Sequence, residues 1–144
     1  MRKNAREDAF RLLFEQNVNP EEAAEKLERY FEVAPKEQKA EEPFYVNRPS
    51  EEDRKYTRLV VEGVQSHAEE IDSLIQNNLK DWEMDRVSKI SIAVLRLAIF
   101  EILYMEDIPA EVSASEAVTI AKKYDSPSAG SFVNGVLGNI IKQK

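Results

Sequence analysis

The sequence predicts an all-α fold, a helical bundle of about six to seven helices, and three observations carry that reading. Glycine is scarce, with 4 in 144 residues, and three of these, Gly130, Gly135 and Gly138, cluster near the end. Apolar residues recur at three- and four-residue spacing, with few of the alternating runs that mark strands. At 42% hydrophobic, the chain has enough apolar material for one core, and its length suits one domain spanning 1–144.

A first helix is expected over about Asn4 to Asn17, with Ala5, Ala9, Leu12 and Leu13 facing inward. A second starts at Asn19-Pro20-Glu21-Glu22, with Asn as N-cap and Pro at the first helical position. Residues 34–49 hold Pro35, Pro43 and Pro49 among charges and read as an exposed loop. Ser50-Glu51-Glu52-Asp53 opens a third helix with an acidic first turn, extending as far as residue 78 with a bend at Gly63 or His67. The fourth, about Asp85 to Met105, is apolar nearly all round, as suits the central rod of a bundle, and Asp107-Ile108-Pro109 ends it. A fifth helix is expected from about Ser113 to Tyr124. After a Ser126-Pro127-Ser128 turn, a sixth runs from about Gly130 to Ile141, where Gly135 and Gly138 would permit close helix packing.

Composition narrows the function. There is no cysteine, hence no disulfide framework, thiolate metal site or cysteine nucleophile. No stretch is apolar for long enough to span a bilayer, and no signal-peptide core follows the basic start, so a cytoplasmic location is expected. The single histidine, His67, has no second histidine to complete a metal site and reads as a surface or bend residue. The acidic pairs fall at helix starts or in the loop, where they complement helix dipoles or face water. The glycines form no phosphate-binding loop. No catalytic residues, metal or cofactor are expected; the chain does not read as an enzyme.

Charge is unevenly placed. The net charge is −7, yet residues 1–11 carry Arg2, Lys3, Arg6 and Arg11 against Glu7 and Asp8, a balance of +2, and the remaining 16 basic and 25 acidic side chains carry −9. Cations at a helix start oppose the helix dipole by a few tenths of a kcal/mol each, so Arg2, Lys3 and Arg6 read as facing an external anion. A solvated N-terminal tail explains the same residues equally well from composition alone. Arginine suits phosphate and base-edge recognition because its planar fork donates two hydrogen bonds at once. So few cations on an acidic body suggest a small, salt-sensitive contact that needs a partner.

Several ordered segments resemble the NusB family of transcription antitermination factors. Arg2-Lys3-Asn4-Ala5-Arg6-Glu7 with Ala9 and Leu12-Leu13-Phe14 is similar to its arginine-rich first helix. Val94-Leu95-Arg96-Leu97-Ala98-Ile99-Phe100-Glu101-Ile102-Leu103, then Asp107-Ile108-Pro109, is similar to its central helix and exit turn. Ser115-Glu116-Ala117-Val118 with Ala121-Lys122, and Phe132-Val133-Asn134-Gly135-Val136-Leu137, match the last two helices. The resemblance implies an all-α bundle of two small helical subdomains. It implies binding to the boxA element of nascent rRNA leaders together with NusE, a small-subunit ribosomal protein. It further implies assembly with RNA polymerase and other Nus factors to suppress premature termination, with no DNA or membrane partner. Carried over by position, it makes Arg2, Lys3 and Arg6 RNA contacts and Phe132 an aromatic that stacks on a splayed base; core packing is the alternative for Phe132.

The departures from the family pattern are Phe14 in place of a tyrosine, Asn4 in place of an arginine, and Ser91 where some members carry an acidic residue used to dock NusE. Arg96 and Glu101, polar within a buried helix, are expected to be structural, for example as an internal ion pair, and Asn134 to cap or bridge helices. The alternative function is a helical protein-interaction scaffold, or an accessory domain of rRNA processing, without sequence-specific RNA binding. The related N-terminal domain of an rRNA cytosine methyltransferase is disfavoured because no Rossmann-like domain or catalytic cysteine follows.

Overall fold

The computed structural model describes residues 2–21, 25, 28, 50–80 and 83–144, with residues 2 and 3 described by their backbone alone. Among these there are six α-helices and no strand. Helix α1 spans Arg2–Val18, α2 Glu51–Ser66, α3 Ala68–Asn77, α4 Lys89–Tyr104, α5 Ala110–Tyr124 and α6 Pro127–Gln143, with a 3₁₀ turn at Met84–Arg86 before α4. Pro20 and Glu21 are helical, in keeping with the expected second helix. Most of that helix and the expected loop at 34–49 lie outside the described residues.

Helix boundaries follow local chemistry. At the start of α2, Asp53 N–H donates to Ser50 Oγ at 3.0 Å while Ser50 N–H reaches Asp53 Oδ2 at 3.5 Å, a reciprocal capping box. The expected bend falls at His67, whose φ of −112° and ψ of 25° separate α2 from α3. Helix α4 begins four residues later than expected, because Val87 is extended and Ser88 caps the helix by accepting the Ser91 N–H at 3.0 Å. Helix α5 begins three residues earlier, at Ala110, directly after Pro109. The Ser126-Pro127-Ser128 turn is the first turn of α6: Ser126 Oγ accepts the Ala129 N–H at 3.1 Å, and Pro127 occupies a position whose missing N–H costs nothing.

The central rod is α4, which packs against α1, α2, α3, α5 and α6. Leu95, Leu97, Ile99 and Ile102 on it are fully buried, and each such side chain contributes about 1.5–3 kcal/mol by leaving water. Helices α5 and α6 form a tightly packed hairpin on one side of α4, and α1 and α2 pack on it and on each other.

The glycines differ from expectation. A Cβ at Gly135 or Gly138 would meet nothing within 4 Å, so neither mediates close packing. The closest approach is at Gly63, where a Cβ would lie 2.2 Å from the Phe100 ring, and at Gly130 it would lie 2.6 Å from the Lys122 side chain. Gly135 is exposed in the interior of α6 and has no positive φ. Gly135→Ala is therefore expected to stabilise the protein by about 0.5–1 kcal/mol, seen as a raised urea midpoint with an unchanged slope.

Candidate nucleic-acid interface

Helix α1 opens with Arg2 and Lys3, has no acidic residue in its first turn, and sends Arg6 into the protein. Arg2 and Lys3 lie in the helix, but their side chains are outside those described. Arg6 is where the structure departs from the sequence reading. It is 5% exposed and does not face an external anion. Its Nε donates to Glu101 Oε2 at 2.8 Å, and its Nη1 lies 3.6 Å from Glu116 Oε1. The reason is the central helix: Glu101 is fully buried, and a buried carboxylate needs a cation and further donors. Tyr56 Oη from α2 and Ser113 Oγ from α5, the latter at 2.7 Å, supply those donors. Burial alone would lower the Arg6 pKa, but the hydrogen bond and charge of Glu101, helped by Tyr56 and Glu116, outweigh it and hold it above its ordinary value.

Arg96 and Glu101 do not pair with each other. Arg96 makes a two-pronged contact with Asp72 of α3, at 2.9 and 3.0 Å, while Glu101 takes Arg6. Five residues separate them on α4, which turns them to different neighbours. Both are structural, as expected, but with other partners. Asn134 lies exposed on α6. Phe14 is half-buried beside Phe10, with ring centroids 6.3 Å apart.

A second polar cluster joins α1 to the end of α5. Lys123 Nζ and Tyr124 Oη donate to Glu7 at 3.0 and 2.5 Å, and Arg11 Nη2 donates to Tyr124 Oη at 2.6 Å. Burial pushes the Glu7 pKa up, but the Tyr124 hydrogen bond and Lys123 overcome it, leaving it below the ordinary value of 4.5. A depressed carboxyl pKa stabilises the fold above the unfolded value, and that contribution is lost as pH falls through the folded value. Paired melts at pH 7 and pH 3 should therefore show Lys123→Met/Tyr124→Phe destabilising at pH 7 by more than at pH 3.

Phe132 is half-buried on α6, packed against the core on one side. On the other it lines a notch of about 310 Å³ with Arg86, Ser88, Ser91, Asp125 and Ser128. Asp125 accepts from Ser88 Oγ at 2.6 Å and Ser91 Oγ at 3.4 Å, so Ser91 is buried and turned towards the notch. Phe132 thus both packs against the core and lines the notch. The structure does not bring Phe132 together with Arg6. Ser91 beside the notch and Glu101 beneath Arg6 are ten residues apart on α4, about 15 Å along its axis. Helix α5 runs between them, with Glu116 near Arg6 and Asp125 at the notch. Arg86, exposed beside Phe132, is a cation that the sequence reading missed; it lies outside any basic run, and only the fold sets it there.

Among the described residues no group of three or more His, Cys, Asp or Glu side chains could hold a metal ion, and no helix is long and apolar enough to cross a membrane. His67 stacks on Tyr104, with centroids 4.2 Å apart, at the α2–α3 break.

Known proteins share both sequence and fold. The NusB family model matches residues 3–142. The transcription antitermination protein NusB of Clostridium novyi (strain NT) is 39% identical over 141 residues, covering 98% of each chain. Among solved structures, NusB of T. maritima superposes with a TM-score of 0.80 at 29% identity, covering 99% of this chain and 91% of that one. A structure of antitermination factors NusB and NusE in complex with double-stranded RNA superposes at 0.77 with 27% identity, covering 99% and 97%. The family is one of non-enzymatic transcription antitermination factors. Matched along nearly its whole length in sequence and in fold, the chain belongs to the NusB family.

Proposed function

We propose that this protein binds the boxA element of nascent rRNA leaders jointly with NusE, and that the pair joins RNA polymerase and other Nus factors in the cytoplasm to suppress premature termination. The observation that carries the reading is family membership combined with a relative solved with NusE and RNA on the same fold. The single domain of 1–144 is the RNA-binding unit. Arg2 and Lys3, in the first turn of α1, supply cations to phosphates, and Phe132 offers its ring to a base, with Arg86 beside it for the backbone. Arg6, the third cation of the motif, is committed to Glu101 and is not counted among the RNA cations. A net charge of −7 keeps non-specific RNA binding weak and leaves a role for the partner.

Titration of a boxA RNA with NusE present tests these assignments. Arg2→Ala/Lys3→Ala should weaken binding and flatten its salt dependence by about 0.7 for each phosphate that is no longer neutralised. Phe132→Ala should cost about 1–3 kcal/mol with the salt slope unchanged. If both variants bind boxA as the wild type does, the RNA surface lies elsewhere.

A further inference from the structure

We propose that Arg6 is a positioning residue for RNA binding, and that the buried Glu101 carboxylate is the anchor through which it sets the basic first turn of α1; this rests on the RNA-binding reading above. Glu101 gathers one side chain from each of three other helices: Arg6 of α1, Tyr56 of α2 and Ser113 of α5. The α1 backbone is held at the same level, where Thr57 Oγ1 donates to Ala5 O at 3.5 Å. Arg2 and Lys3 stand one helical turn ahead of this anchor, about 5.4 Å along the axis. That turn carries cations at the positive end of the helix dipole and has no acidic residue to offset them, so its local sequence opposes helix formation there. Tertiary contact must supply what local sequence withholds, and Arg6 makes the charged, buried part of that contact. A phosphate could reach the Arg6 guanidinium only by displacing Glu101 or Glu116 from a side chain that is 6% exposed.

The two roles for Arg6 predict opposite responses at Glu101. The test is the affinity of a fluorescent boxA RNA, with NusE present, for wild type, Glu101→Gln and Tyr56→Phe. Each variant is first checked by circular dichroism to be folded at the temperature used. Glu101 is fully buried and Tyr56 nearly so, and neither can touch RNA. Positioning predicts that Glu101→Gln weakens binding by about tenfold, within the range reached by residues that contact neither ligand, and that Tyr56→Phe weakens it less. Amide exchange at residues 5–9 of the free protein should quicken in both. If Arg6 contacts phosphate directly, removing the competing carboxylate leaves affinity equal or higher, and the proposal is overturned. Should Glu101→Gln not fold, Tyr56→Phe decides: faster exchange with unchanged affinity overturns it too. A wild type that binds no RNA removes the RNA reading and this inference together, whereas wild-type binding that both variants retain removes the positioning role alone.

Discussion

Glu101→Ala is expected to lower the unfolding free energy by about 3–5 kcal/mol, a large share of the stability of a domain this size. The loss has three parts. The Arg6 guanidinium stays buried and is deprived of its closest anion, since Glu116 lies at 3.6 Å and is itself partly exposed. The Tyr56 and Ser113 hydroxyls, also buried, are left without their acceptor. A cavity opens where a fully buried side chain stood. Lys123→Ala is the contrast: it removes a cation that is 55% exposed, and such surface pairs contribute at most about 1 kcal/mol. Urea denaturation of the two variants beside wild type measures both. A loss from Glu101→Ala no larger than that from Lys123→Ala would show that the buried cluster does not hold the four helices together.

Gly63→Ala should destabilise by about 1–3 kcal/mol, the reverse of the gain expected at Gly135. An added Cβ would lie 2.2 and 2.3 Å from Cε1 and Cζ of Phe100, distances that no real contact allows. The ring has little freedom to move aside. Phe100 is 3% exposed, and Tyr104 and His67 flank it with centroids 5.4 and 6.4 Å away. Helix α2 must then shift away from α4, disturbing the surface that carries Tyr56 to Glu101. Shortening the ring side chain should relieve the clash, so Gly63→Ala/Phe100→Leu should be less destabilised than the sum of the two single changes. Additive losses in that cycle would mean that the glycine and the ring do not meet.

The fold was largely legible because helix signals are local. Ser50 and Asp53 announce the start of α2, the run from Ile90 to Leu103 announces a buried rod, and Asp107-Ile108-Pro109 marks where that rod ends. The errors of boundary came from caps whose chemistry was present but not used: Ser88 caps α4, which starts four residues after the expected Asp85, and Ser126-Pro127 starts α6 three residues before the expected Gly130. Side-chain partners were less legible, because they depend on residues far apart in sequence. Glu101 stood out as a carboxylate in an apolar helix, yet its cation is 95 residues away, and the nearer Arg96 had its own partner in Asp72. Arg6 looked like Arg2 and Lys3 in composition, and only the fold shows that its side chain turns inward to Glu101. Gly135 and Gly138 sat in an apolar pattern that suggested packing, but they face open space, whereas Gly63, which read only as a possible bend, lies against a ring.

The central claim, that this chain recognises boxA RNA as one half of a pair with NusE, is tested most directly by titrating fluorescent boxA and scrambled RNA with the wild-type protein, alone and with purified NusE, at two salt concentrations. The account predicts weak, salt-sensitive binding by the protein alone, and tighter binding with NusE that prefers boxA over the scrambled sequence. Equal affinity for the two RNAs in the presence of NusE, or no binding in any arm, would contradict it and leave a protein-binding helical scaffold as the reading to pursue.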